Sequence, residues 1–106
     1  MTPLPILITE SAGEAIREAS EWWANNRPAA PTAMAEELER AFVLISLQPG
    51  IGARALNVAV EGVRRVHLAR VHYHLYYRVA PSGSRLEVLA FWHTSRGSEP
   101  ELPAQA

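Results

Sequence analysis

The chain has 106 residues, 48% of them hydrophobic, a formal net charge of −1 and no cysteine. That is one small domain, apolar enough for a single core and too apolar for a disordered chain. A disulfide, a thiolate metal site and a cysteine nucleophile are excluded, and a reducing, cytoplasmic setting is expected.

In chain order, Leu4 to Thr9 is a short apolar run that reads as a strand, with Pro5 marking a strand start or edge. Ser11 and Glu14 have the spacing of a capping box and predict the opening of a first helix. Ala12, Ile16, Ala19 and Trp23 recur at helical spacing to about Asn26, where Arg27-Pro28-Ala29-Ala30-Pro31 breaks the helix. Trp22 and Trp23 are adjacent and about 100° apart on a helix, so Trp23 takes the core stripe and Trp22 the shoulder. Thr32 can cap a second helix, with Met34, Leu38, Ala41 and Ile45 as its apolar stripe and Phe42 widening it. Gln48-Pro49-Gly50-Ile51-Gly52 ends that helix, and the short connection predicts an antiparallel helical hairpin.

After a polar loop around Arg54 to Glu61, strand formers dominate to Trp92, punctuated by Pro81-Ser82-Gly83-Ser84. The expected fold class is α+β: an N-terminal strand, an antiparallel helical hairpin, then a three-stranded antiparallel meander, in the order β-α-α-β-β-β. The domain spans residues 1–97, and 98–106 form a loose tail rich in proline, alanine and glutamine. The longest uncharged, largely apolar run, Ala41 to Leu47, is far short of the roughly 18 residues that span a bilayer, and no signal peptide is visible. No membrane association is expected.

Charge is distributed unevenly. Residues 1–48 hold seven glutamates and three arginines, and residues 49–106 hold seven arginines and four glutamates. Lysine and aspartate are absent, so every cation is a planar fork suited to phosphate or carboxylate. Between Gly62 and Leu86 lie five arginines, three histidines and no carboxylate. Strand alternation puts Tyr73, Leu75, Tyr77 and Val79 on the face toward the helices, and His72, His74, Tyr76 and Arg78 on an open one. Interleaved basic and aromatic side chains on an exposed sheet suit a polynucleotide or an acidic protein segment. Arg64 and Arg65 point to opposite faces, and the apolar company of Arg64 favours Arg65 for the open one. His72 and His74 could share a strand face, but spacing supplies no third ligand, so no metal and no cofactor are expected.

Four segments, WWANNRP, LQPGIG, GVRRVHL with HYHLYYRV, and LEVLAFWHTSRG, together resemble the RelE/ParE superfamily of bacterial toxins. The likeness spans roughly residues 6–97 and is closer to ParE-like members. It implies a toxin of a type II toxin–antitoxin system, a cognate antitoxin as partner, and DNA gyrase as target. The alternative it leaves is a RelE-like, metal-independent endonuclease acting on mRNA in the ribosome; a non-toxic arginine-rich binding module is the rival from another class. On the nuclease reading His93 or Tyr76 moves protons, while Arg65, Arg78 or Arg96 holds phosphate. The expected binding set is Trp22, Arg65, His74, Tyr76, Arg78 and Arg96. The absence of lysine counts against a nuclease. By strict alternation Glu87 shares a side of the last strand with His93, which leaves a Glu–His pair open.

Overall fold

The computed structural model describes residues 2–56 and 58–95. Chain order is β1 (Ile6–Ile8), α1 (Glu10–Asn26), α2 (Ala33–Leu47), β2 (Ala53–Arg54), β3 (Arg64–Leu68), β4 (Tyr73–Val79) and β5 (Leu86–His93). The strands form one mixed sheet in the order β1-β5-β4-β3-β2. β1 runs parallel to β5, and the other pairs are antiparallel. The α+β class and the meander match the sequence reading. A fifth strand, β2, does not appear in it, because two exposed residues carry no alternation to detect. The expected tail and the boundary at residue 97 lie outside the described residues.

Helix starts differ from expectation. Thr9, not Ser11, caps α1, its Oγ1 accepting from the Ala12 amide at 3.3 Å. The extended backbone at Thr9 lets the chain pass from β1 straight into the helix. Thr32 precedes α2 but makes no side-chain cap; its hydroxyl bonds the Glu36 carboxylate at 3.2 Å instead.

The main core lies between the helices and one face of the sheet. Ala12, Ala19 and Trp23 of α1 and Met34, Leu38, Ala41 and Ile45 of α2 meet Leu68, Leu75, Tyr77, Leu86, Val88 and Phe91. A second, smaller core sits on the opposite face, where Val60 and Val63 fold over Tyr76 and Leu89. Ala55, Val58, Val60 and Val63 therefore lie across the face that alternation leaves open. A backbone bond from the Ala55 amide to the Val63 carbonyl, 2.9 Å, ties the ends of this loop together.

One irregularity decides which side chains meet. Tyr76 pairs with Ala90 and Tyr77 with Val88, so Leu89 is an extra residue in β5. Past such a bulge the inward–outward alternation changes phase. Leu86, Val88 and Phe91 pack into the main core, whereas Leu89 joins the opposite one.

Candidate functional site

The bulge separates the residues that sequence alternation groups together. Arg65 and His67 of β3 pair with Tyr76 and His74 of β4, and His74 in turn with Trp92 of β5. These form one row on the face covered by Val58, Val60 and Val63. His93 pairs with Tyr73, which belongs to the margin of the main core, and so lies on the helix side. The expectation that Glu87 and His93 share a side is corrected: Leu89 shifts the phase between them.

On the row, Arg65 Nη1 donates to the Tyr76 hydroxyl at 3.4 Å, and His67 and His74 meet edge to face at 5.1 Å between ring centres. Arg65 is thus the arginine of this face; Arg64 turns back and donates to the Gly52 carbonyl at 2.7 Å. The expectation of an accessible Tyr76 is also corrected. Its side chain is 1% exposed, because Val60, Val63 and Leu89 bury it. Arg78, expected as an open cation, donates through Nε to Glu87 at 2.8 Å, and Arg85 Nη2 reaches the other carboxylate oxygen at 3.1 Å. Hydrogen bonding from Arg78 holds the Glu87 carboxyl below its usual range, against the opposing effect of burial, and Arg85 adds to the lowering. The basic sheet is therefore partly neutralised by a carboxylate on the neighbouring strand, outside the segment where the sequence shows none.

At the other end of the molecule, the last turn of α1, the β3–β4 turn and the ends of β4 and β5 enclose a cleft of about 390 Å³. Trp22 is 49% exposed there and Trp23 is buried, as helical geometry requires. The Trp23 indole N–H donates to the Ala30 carbonyl at 2.8 Å, which fixes the ring. Arg27, the C-cap of α1, lies over the Trp22 ring at 5.0 Å and the Trp23 ring at 5.9 Å. Tyr73 stacks on Phe91 at 4.4 Å and meets His93 edge to face at 5.0 Å. His93 Nδ1 accepts the Ser95 amide at 3.1 Å and lies 2.7 Å from the Ser95 hydroxyl. An accepting Nδ1 places the ring proton of a neutral imidazole on Nε2.

His72 belongs to the turn and not to β4, so it lines this cleft and does not share a strand face with His74. Among the described residues no cluster of three or more metal-ligating side chains exists. Arg96 lies outside the described residues.

Residues 6–97 match the family model described as the ParE toxin of type II toxin–antitoxin systems. The chain belongs to that toxin family. No curated protein sequence matches it. Among solved structures, the toxin–antitoxin complex RelBE2 from Mycobacterium tuberculosis aligns with a TM-score of 0.58 at 21% identity, over 86% of this chain and 98% of that one. A mutant of the E. coli toxin RelE in the free state aligns with a TM-score of 0.58 at 19% identity, over 88% and 85% of the two chains. These likenesses show the fold of the toxin.

The toxin's cleft includes Arg27, Arg70 and Tyr73, which sequence reasoning did not select, and His72, which it placed on the open strand face. Only the tertiary fold brings the end of α1 against the β3–β4 turn. The one local clue is that this turn contains no glycine or proline, which left His72 assigned to a strand. No helix among the described residues is long and apolar enough to cross a membrane.

Proposed function

We propose that this toxin acts on DNA gyrase, as ParE-like members do, and is neutralised by a cognate antitoxin. The observation that carries the reading is the dispersal of the nuclease set. A metal-independent nuclease needs a base, an acid and a phosphate clamp around one point. Here His93 lies on the helix side, Tyr76 is buried on the other face, and Arg78 is engaged by Glu87. The missing lysines point the same way. A RelE-like ribonuclease would need Val60 and Val63 to lift from Tyr76 before any substrate could reach it.

An antitoxin surface is supported by the outer side of α2. Val43, Leu44 and Leu47 are 53%, 38% and 36% exposed. An apolar patch rimmed by Glu36, Glu39 and Arg40 suits an amphipathic partner segment. Trp22, on the shoulder of α1, is a second anchor that such a partner can cover.

Expression of the toxin alone should arrest growth, and co-expression with the protein encoded beside it should restore growth. Purified toxin should block negative supercoiling by gyrase. Normal growth with abundant folded toxin would favour a non-toxic binding module instead.

A further inference from the structure

We propose that the cleft at the end of α1 is a nucleotide-binding site, taking a planar base against Trp22 and an anionic phosphate on Arg27, Arg70 and His72. Its volume, about 390 Å³, falls within the roughly 300–1,000 Å³ range of small-ligand sites and suits one nucleotide better than an extended chain. The inference goes beyond the gyrase reading and does not depend on it.

Charge is the first argument. Arg27, Arg70, His72 and His93 all line the cleft, and no carboxylate among the described residues does. The nearest acid is Glu36 of α2, which Arg70 Nη1 meets at 3.2 Å with both side chains about half exposed. A guanidinium has five N–H donors, and an exposed pair of this kind is weak enough to exchange for a ligand phosphate. The carbonyls at the C-terminus of α1 would repel an anion, but several are already occupied. The Asn26 side-chain amide donates to Trp22 O, the Arg27 amide to Trp23 O, and Arg27 Nη1 to Asn26 O.

Backbone conformation supports the same assignment. His72 has φ 62°, the one described non-glycine residue at positive φ. Bonds from its amide to the Leu68 carbonyl and from the Thr94 amide to its own carbonyl, both 2.9 Å, hold it there. Glycine would occupy this conformation with less strain, so an imidazole kept there at the mouth of a cationic cleft points to a use for the ring.

The aromatic surface supports it as well. Trp22 is half exposed with its ring already paired to a guanidinium, and Trp23 is locked by its bond to Ala30. An exposed indole beside cations binds a base by stacking and its phosphate by charge-assisted hydrogen bonds.

The test is titration of the full chain with AMP and UMP, followed by two-dimensional ¹H–¹⁵N NMR of the three indole N–H signals. Trp22 and Trp23 should shift saturably with a dissociation constant of about 1 mM or tighter, while Trp92, on the other sheet face, should stay still. Arg27→Ala or Arg70→Ala should weaken binding about tenfold, with Tm nearly unchanged. A 5′-phosphorylated single-stranded tetranucleotide binding tighter than AMP identifies a strand end as the ligand; weaker binding identifies a free nucleotide. The proposal is overturned by no saturable shift, by equal shifts with inorganic phosphate alone, by displacement of the nucleotide with a glutamate peptide at lower concentration, or by unchanged affinity in both variants.

Discussion

The Tyr77 hydroxyl donates to the Pro49 carbonyl at 2.7 Å and accepts the Gly52 amide at 3.0 Å, which latches the loop after α2 onto the centre of the sheet. A Cβ at Gly52 would lie 2.8 Å from that hydroxyl and 2.8 Å from the Arg65 carbonyl. The Pro-Gly-Ile-Gly segment is thus more than a helix stop, because its last glycine permits this close approach. Tyr77→Phe should cost roughly 1–3 kcal/mol by leaving a buried amide unpaired. Gly52→Ala should lower stability too, since backbone lies on one side of the new methyl. Urea denaturation of both variants checks this. Burial raises the Tyr77 pKa above 10.0, with the Gly52 bond and Arg64 acting in the opposite direction. The native state therefore holds this proton more tightly than the unfolded chain. Its contribution should be complete below pH 10 and lost as pH rises through the folded value.

Acid should act through Glu87. Its folded pKa is depressed, so its contribution is present above the ordinary value of 4.5 and declines as pH falls through the lower folded value. Glu87→Gln should lower the urea midpoint at pH 7, because Arg78, 14% exposed, would lose its counter-charge. The difference between variant and parent should shrink in acid. An equal difference at pH 7 and pH 3 would show that the pair does not carry the acid sensitivity.

The two adjacent tryptophans should behave oppositely. Trp23→Ala removes a buried ring and its bond to Ala30, at a cost of about 3–5 kcal/mol. Trp22→Ala removes mainly an exposed stack with Arg27, worth about 0.5–1 kcal/mol. Thermal melts should show a large drop for the first and little change for the second. Antitoxin co-purification should weaken for Trp22→Ala even though its fold is retained.

His72→Gly should be neutral or stabilising by up to about 1 kcal/mol, since glycine relieves the positive φ. Differential scanning calorimetry reads this directly. A clear loss of stability would mean that the imidazole serves the fold rather than the cleft.

Much of the fold was legible because helical spacing at Ala12, Ala19 and Trp23 and strand alternation at Tyr73, Leu75 and Tyr77 both mark the main core. The site was less legible, and for physical reasons. Alternation assumes an unbroken register, and one extra residue, Leu89, moves His93 to the opposite face from Glu87. Val60 and Val63 read as part of a loop, yet they bury Tyr76, because a loop's packing partner is set by tertiary structure. Arg78 looked uncompensated along its own strand, but its partner Glu87 is a neighbour across strands, visible only once the pairing is known. Arg65 could be favoured over Arg64 because Arg64 stands in line with Val66 and Leu68, which depends on sequence neighbours alone.

The most direct test of the central claim uses one preparation of the toxin in two assays, gyrase supercoiling and cleavage of mRNA in translating ribosomes without divalent-metal dependence. The parent protein and His93→Ala should inhibit gyrase alike and leave the mRNA intact. Metal-independent mRNA cleavage by the parent that is lost by about 10²-fold or more in His93→Ala, with supercoiling unaffected, would contradict the account and establish the ribonuclease instead.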